Sequence, residues 1–290
     1  MIKLEHVVLA SPEQLEFIIE GMRNLMNSWE KSDSLGMLYG ETECYERCVF
    51  KGLDRCNECL KTSMFGAILG KNDHSLMQRL AIAGTDHRKF MKMMPVYVRI
   101  TAPLYWWMEF DSCEVGAVAN SCSTMHTIAE KEFVIEDFSA DQLLSFSGKH
   151  NDERDIPTVM SDEHNKYSPK GILECVVIPM LNECRNLYLN GIDRGGMLKM
   201  RKDKEIWWQM IQLLPSSYNQ TRNVMMNYEV LANIYESRKY HKLDEWREFC
   251  KWIETLPYSE LIMGAAGLDD NSINAKKGLS RHMEEDKEKG

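Results

Sequence analysis

The chain has 290 residues, of which 44% are hydrophobic and 27% charged, and its formal net charge is −9. These proportions are typical of a globular protein and exclude a largely disordered one. The acidic balance disfavours nonspecific binding to a nucleic acid polymer, because Lys and Arg supply most of that affinity. No apolar run reaches the roughly 18–20 residues that a membrane-spanning helix needs, so no membrane contact is expected.

The first elements of the chain are a strand and an amphipathic helix. Apolar and polar residues alternate over residues 2–9, which predicts a strand. The sequence Ser11-Pro-Glu-Gln that follows is typical of a helix start, with Ser11 as the cap, a proline in the first turn and Gln14 at the capping-box position. Apolar residues at helical spacing from Leu15 to Trp29 then predict one buried face.

A cysteine-rich segment, residues 31–66, interrupts the regular pattern. Its four closest cysteines are Cys44, Cys48, Cys56 and Cys59. Pairs spaced Cys-x2-Cys and Cys-x3-Cys let two thiolates bind one zinc ion, and four thiolates would leave no open position for a substrate. Two interpretations stay open: a structural zinc site, or an insertion with unpaired cysteines. The odd total of nine cysteines, in a chain without an opening secretory signal, indicates a reducing compartment, so a cytoplasmic location is expected.

The rest of the chain mixes one more strand with many helices. The patterns predict helices near 73–84 and 87–94, a strand over 96–101 and a helix from Pro103. A polar surface excursion is expected over 147–171. Four helices are then predicted over 171–190, 203–214, 219–238 and 241–256, the first of them kinked or split at Pro179.

The predicted fold class is therefore α+β, with a small mixed or antiparallel sheet flanked by helices and a helical C-terminal half. We expect one domain over 1–265 that includes the segments 31–66 and 147–171, followed by a charged, flexible tail over 266–290.

The most distinctive segment is 101–126, which begins Thr-Ala-Pro after the strand and closes in small polar residues around Asn120 and Ser123. It resembles the signature region of the flavin-dependent thymidylate synthases. In that family a strand ends in Ala-Pro, a helix carries an Arg-His-Arg triplet, and an Asn-Glu-Leu-Ser loop follows.

Three other segments resemble the same family in the same order. Residues 72–84 are similar to its Asp-x-x-Leu-x-x-x-Leu-x-x-x-Gly helix, and His87 falls in the loop after it. Residues 214–227 resemble its Leu-Pro…Thr-Arg…Asn helix, and residues 238–245 its Arg-x-x-x-His-Ala-x-x-Glu end, with a one-residue gap. The order and spacing of the four segments argue against coincidence.

The resemblance implies an enzyme that methylates a deoxyuridylate-type nucleotide with FAD, using NADPH and methylenetetrahydrofolate as co-substrates. It also implies a homotetramer with active sites between subunits. The residues that it assigns to the nucleotide are Asn120, Ser123, Arg222 and Arg238. Those that it assigns to the flavin are His87, Asn227 and His241.

Several chemical residues of the family are replaced in this chain. Aligned from Ala-Pro, the Arg-His-Arg triplet falls on residues 112–114, which read Ser-Cys-Glu. Met93 and Met125 stand where the family has a flavin-contacting histidine and an arginine. An alternative is therefore a catalytically inactive member that binds a nucleotide or a protein partner.

Each assigned residue also has a purely structural interpretation. Arg222 and Arg238 could be solvated or ion-paired, and His241 could be a polar residue at a helix start. Asn120 and Ser123 could satisfy loop backbone. The pairs Trp106-Trp107 and Trp207-Trp208 could stack a flavin or a base, but paired tryptophans more often pack in a core or a subunit interface.

Overall fold

The structure of the chain is a computed structural model that describes residues 2–36, 67–113, 116–146, 156–160, 166–191 and 203–266. The four clustered cysteines and Glu114 lie outside these ranges. The strands are β1 (Lys3–Leu9), β2 (Leu35–Gly36), β3 (Ala67–Ile68), β4 (Pro95–Pro103), β5 (Val118–Ser121), β6 (Val159–Met160), β7 (Lys166–Tyr167) and β8 (Asn219–Asn227). The helices are α1 (Pro12–Arg23), α2 (Lys71–Ile82), α3 (Leu104–Phe110), α4 (Thr124–Thr127), α5 (Pro169–Ile172), α6 (Ile178–Asn190), α7 (Lys204–Leu213), α8 (Tyr228–Arg238), α9 (Asp244–Glu254) and α10 (Ser259–Ala265).

The predicted fold class, α+β with a small sheet and helices, is confirmed. The main sheet has four strands in the order β1-β4-β8-β5, and two short antiparallel pairs, β2 with β3 and β6 with β7, stand apart from it. Among the described residues, no helix is long and apolar enough to cross a membrane.

Local sequence signals position α1 as expected. The Ser11 hydroxyl accepts a hydrogen bond from the Gln14 backbone N–H at 3.3 Å, and the Gln14 side chain accepts one from the Ser11 N–H at 2.9 Å. This reciprocal pair is the predicted capping box. The helix ends at Arg23 rather than near Trp29, and Asn27 adopts a left-handed backbone conformation with φ of 47°. Short 3-10 turns replace the last two turns of the expected helix.

One predicted helix, over 219–238, is wrong in its first half. Residues Asn219–Asn227 form β8, and only Tyr228–Arg238 are helical. The strand lies between β4 and β5, and it buries Val224 and Met226 while Asn223, just before them, is exposed. Pairing with two neighbouring strands overrides the weak local preference of this polar segment.

Pro179 does not split the helix that contains it. The chain passes from α5 through a π-helical turn, Leu173–Val177, directly into α6. The Ile178 N–H donates to the Leu173 carbonyl, five residues earlier. A proline cannot donate an N–H to the carbonyl four residues before it, and a local switch to π-type bonding absorbs that loss.

The chain divides into two compact units, and four of their five boundaries fall inside strands of the main sheet. One comprises residues 1–3, 100–112 and 120–222, and the other comprises 4–99, 113–119 and 223–290. In the first unit α6 packs on α7. The core of that unit contains Ile128, Ala129, Phe133, Phe138, Ala140, Leu173, Ile178, Leu181, Cys184 and Met210.

The second unit contains a buried carboxylate, Asp73, in the first turn of α2. It accepts hydrogen bonds from Arg23 Nε at 2.5 Å, from the hydroxyls of Ser32 at 2.8 Å and Ser34 at 2.6 Å, and from the backbone N–H groups of Asp33 and Ser34. Burial raises the pKa of Asp73, but the bonds from Ser34, Ser32 and Arg23 outweigh it and hold the pKa below its usual value. This carboxylate therefore ties α1, α2 and residues 32–34 together.

The start of α2 is capped by Asp33, a residue distant in sequence. The Asp33 carboxylate accepts from the backbone N–H groups of Asn72 at 3.0 Å and Asp73 at 3.1 Å. A Cβ at Gly70 would lie 2.1 Å from Asp33 Oδ1, so this approach of the two segments requires glycine at position 70.

We expect Asp73→Asn to lower the free energy of unfolding at neutral pH by about 3–5 kcal/mol, because it leaves Arg23 buried without its counter-charge. The folded-state pKa of Asp73 is depressed, so its stabilisation is present above the unfolded-state pKa of about 3.9 and is lost as the pH falls through the folded-state pKa. Urea unfolding between pH 7 and pH 3 measures the difference in the free energy of unfolding between wild type and variant. We expect this difference to decrease only at the acid end of the range.

The matched control is Asp244→Asn, which removes an exposed ion pair with Arg247 and should cost about 1 kcal/mol or less. Parallel pH profiles for wild type and Asp73→Asn would contradict the assigned role of the carboxylate.

Candidate functional site

Arg222 is the best-positioned cation among the sequence-predicted residues, and it lies on β8 in the first unit. Its guanidinium carbon is 4.2 Å from the centroid of the Trp107 ring. Its Nε donates to Gln220 Oε1 at 2.9 Å, and its Nη1 donates to Asp111 Oδ1 at 2.7 Å. The Arg222 side chain is only 16% exposed, whereas that of Asp111 is 43% exposed. An aromatic face and two polar partners thus fix the plane of the guanidinium.

Gln220 links Arg222 to the neighbouring polar loop. Its side-chain Nε2 donates to the Cys122 carbonyl at 3.2 Å and to the Thr124 hydroxyl at 3.0 Å. Its backbone carbonyl accepts from the Trp107 indole N–H at 2.9 Å. One residue therefore holds both the ring beneath the guanidinium and the loop beside it.

The same loop carries the two predicted base-contacting residues. Asn120 lies in β5 near its end and Ser123 precedes the short helix α4 without a side-chain capping bond, and both side chains are exposed. The Cys122 N–H between them donates to the Thr221 carbonyl at 3.1 Å, which fixes the loop beside Arg222. The structure therefore brings Asn120, Ser123 and Arg222 to one place. We call Trp107, Asp111, Gln220, Arg222 and residues 120–124 the Arg222 site.

The chemistry of the Arg222 site favours an anion with hydrogen-bonding groups around it. A guanidinium presents five N–H donors in one plane, an arrangement that suits a phosphate or a carboxylate. Within the described part of the chain, Nε and Nη1 of Arg222 have partners, and no contact to Nη2 is found. The loop 120–124 beside Arg222 carries exposed hydroxyl and amide groups. These groups can donate hydrogen bonds to a polar ring or accept them from it.

A second group of predicted residues lies at the start of α8 in the other unit. The Asn227 Oδ1 accepts from the Val230 N–H at 3.0 Å, so Asn227 caps α8. His87 is half-buried, and its neighbour Arg88 forms a buried ion pair with Glu229 at 2.8 Å. That ion pair brings the segments of His87 and Asn227 together.

A third group lies at the end of α8. Arg238 places its guanidinium carbon 5.0 Å from the Trp246 ring centroid, and the His241 ring lies 6.3 Å from the same ring system. The His241 Nδ1 accepts from the Leu243 N–H at 3.2 Å, next to the start of α9. Arg238 and His241 therefore share one aromatic neighbour.

The three flavin candidates do not meet at one point of a single chain. Helix α8 has 11 residues, which places its two ends about 16 Å apart at 1.5 Å per residue. His87 and Asn227 belong to one end and His241 to the other. Asn227 and His241 also each use a side-chain acceptor on a neighbouring backbone N–H. Within one chain, a single ring system therefore cannot contact all three residues.

Residues that sequence reasoning missed complete the Arg222 site. Gln220 had no recognisable signal while 219–227 was interpreted as helix; in a strand it falls on the same face as Arg222, two residues away. Trp106 and Trp107 are buried, as the core interpretation predicts, and Trp107 also supports Arg222. Asp111 directly precedes the replaced triplet at 112–114, and no sequence signal marks it as a partner of Arg222.

The predicted zinc ligands Cys44, Cys48, Cys56 and Cys59 lie outside the described residues. Within the described ranges, no group of three or more His, Cys, Asp or Glu side chains is arranged to hold a metal ion. Of the replaced basic triplet, Ser112 donates its hydroxyl to the Glu109 carbonyl at 2.6 Å.

Comparison with known proteins finds a likeness among solved structures. No protein-family model and no curated protein matches the chain. One similar structure is thymidylate synthase X from Helicobacter pylori with FAD and dUMP, at a TM-score of 0.49 and 14% identity, covering 94% of this chain and 98% of that one. Another is the UMP/dUMP methylase PolB from Streptomyces cacaoi bound with 5-Br dUMP, at a TM-score of 0.49 and 13% identity, covering 91% of this chain and 94% of that one.

The family that the motifs resemble is thus the one represented among these structures. The likeness is distant, and it does not assign the ligands of those proteins to this chain.

We expect Asn227→Ala to lower the free energy of unfolding by about 1 kcal/mol, because it removes the cap of α8. Asn227→Ser keeps a capping oxygen and should cost only a small fraction of that. Thermal unfolding of the two variants measures the structural share of this residue. Equal stability of both variants and wild type would show that the cap contributes nothing.

Proposed function

We propose that the protein binds a deoxyuridylate-type nucleotide at the Arg222 site. The observation that carries this proposal is the guanidinium of Arg222, held over the Trp107 ring beside an exposed polar loop. In this arrangement Arg222 binds the phosphate through charge-assisted hydrogen bonds. Asn120 and Ser123 contact the pyrimidine base, and Gln220 keeps loop and guanidinium in register.

The proposal extends to the reaction that the sequence resemblance implies. The protein is then a divergent relative of the flavin-dependent thymidylate synthases that performs reductive one-carbon transfer with FAD, NADPH and methylenetetrahydrofolate. The resemblance also assigns Arg238 to the phosphate, and it assigns His87, Asn227 and His241 to the flavin, which supplies the redox chemistry when bound. Because these three residues divide between the two ends of α8, we derive no redox step from one chain. A homotetramer with sites between subunits, as the resemblance implies, would let residues of several chains meet.

A second candidate function is a catalytically inactive nucleotide-binding or protein-interaction module. The Asp111–Arg222 ion pair favours it, because a carboxylate here occupies a donor that the substrate phosphate would need. The replacement of the basic triplet at 112–114 points the same way. Under this alternative the nucleotide binds without flavin, and no deoxyuridylate is methylated.

A structural zinc ion in the segment 31–66 is a separate proposal that rests on the spacing of the four cysteines. It is compatible with either function, because a closed four-thiolate site takes no part in catalysis.

The nucleotide site is tested by titrating the purified protein with deoxyuridine monophosphate in a calorimeter. We expect Arg222→Gln to weaken binding about 10- to 100-fold, the range that charge-assisted hydrogen bonds support. Arg247→Gln, which removes an exposed arginine in the other unit, is the control and should bind as wild type does. Equal affinity of wild type and Arg222→Gln would remove Arg222 from the site.

The two candidate functions are separated by a flavin titration followed by a turnover assay. If the protein is an enzyme, FAD binds, its visible spectrum changes when deoxyuridine monophosphate is added, and thymidylate forms with NADPH and methylenetetrahydrofolate. Nucleotide binding without flavin binding would support the inactive module. Binding of neither would exclude the enzyme and the nucleotide-binding module, and would leave the protein-interaction module.

For the cysteine cluster, we expect about one zinc ion per chain in protein purified without chelator, as four-thiolate sites hold one ion. Changing Cys44 and Cys48 to Ser should remove it, whereas Cys175→Ser, at an exposed free cysteine, should not. Elemental analysis of the three proteins measures this. If the wild-type protein contains no metal, the zinc proposal is wrong and the segment 31–66 is an insertion with unpaired cysteines.

A further inference from the structure

The Asp111 carboxylate binds the guanidinium of Arg222 as an anionic ligand would. Its Oδ1 lies 2.7 Å from Arg222 Nη1, within the range of a charge-assisted hydrogen bond. The two partners differ in exposure, since the Asp111 side chain is 43% exposed and that of Arg222 is 16% exposed. The contact thus joins an acidic side chain at the surface to a guanidinium that Trp107 and Gln220 hold in place.

The backbone of Asp111 is fixed independently of this ion pair. Its N–H donates to the carbonyls of Trp107 and Glu109 at the end of α3. The side chain can therefore turn away from Arg222 into solvent without any change in the helix. Arg222 keeps its contacts to Trp107 and to Gln220 when Asp111 leaves.

We infer that Asp111 determines the specificity of the Arg222 site for the charge of its ligand. This inference rests on the proposed nucleotide site. A phosphate bound to the remaining N–H donors of Arg222 lies at short range from the Asp111 carboxylate, and the two anions repel each other. A nucleoside, which has no phosphate, does not meet this repulsion. The site therefore has a smaller ratio of monophosphate affinity to nucleoside affinity than Arg222 would give without Asp111.

A merely structural ion pair makes a different prediction. A pair with one partner largely in solvent contributes little to folding, so its loss would leave both stability and ligand preference almost unchanged. A residue that determines specificity changes the preference while stability stays the same. The ratio of two affinities is therefore the informative quantity.

The test compares deoxyuridine monophosphate with deoxyuridine by calorimetric titration of wild type, Asp111→Asn and Asp111→Ala. We expect both variants to bind the monophosphate about fivefold to tenfold more tightly than wild type and to bind the nucleoside equally, in the range of a partly exposed charge pair. Adding Arg222→Gln to Asp111→Asn should abolish the gain.

The control is Glu174→Gln in the same unit. Glu174 is 44% exposed and pairs with Lys170 at 3.8 Å, so the substitution removes an equally exposed carboxylate from another ion pair. It should alter neither affinity, which distinguishes a local effect of Asp111 from a change in net charge.

The outcomes separate this inference from the proposed function. If wild type binds the monophosphate and the Asp111 variants bind it no better, the inference is wrong and the nucleotide site stands. If wild type fails to bind and the variants bind, the inference holds and the proposed function of the wild-type protein fails. If no protein binds the monophosphate at millimolar concentration, both are wrong.

Discussion

The candidate site depends on one constraint, the two-residue period of β8. Along this strand Gln220 and Arg222 fall on the same face as the buried residues Val224 and Met226. A cation is thereby placed at the end of an apolar stripe, where a charge without partners is costly. The chain satisfies it with an aromatic face, an amide oxygen and a carboxylate. The geometry that could bind a phosphate therefore follows from the need to accommodate Arg222.

The carboxylate in that set gives the site a different electrostatic character from an open anion site. Two like charges about 4 Å apart repel by about 1 kcal/mol in water and about 4 kcal/mol at an effective dielectric near 20. Because Asp111 is largely exposed, its repulsion of a phosphate belongs toward the lower of these values. Arg222 thus remains able to bind an anion, with an affinity that depends on where Asp111 lies. A site of this kind can bind a nucleotide without binding it tightly.

Sequence patterns predicted the parts of this molecule that depend on neighbours in the chain. The capping box at Ser11 involves residues three apart, and it formed as expected. The segment 219–227 was misassigned because its strand character comes from β4 and β5, which pair with it from distant positions. Gln220 could not be recognised for the same reason, since its importance lies in contacts to Trp107 and to the loop at 122–124. Motif order singled out Arg222 as a candidate, but not the carboxylate that pairs with it.

Residues with a predicted cofactor role also perform structural work that any variant of them must respect. Asn227 caps α8 and His241 accepts a backbone N–H beside α9, so the same atoms serve the fold. This duty does not exclude a ligand at Asn227, because its amide nitrogen is a second polar group. The two backbone contacts do fix the orientation of both side chains. A flavin that contacts them must therefore approach from the directions that the two helix starts leave open. The two residues lie at opposite ends of α8, about 16 Å apart. One ring system does not span that separation, so within one chain a single ring contacts one end of α8 and not both.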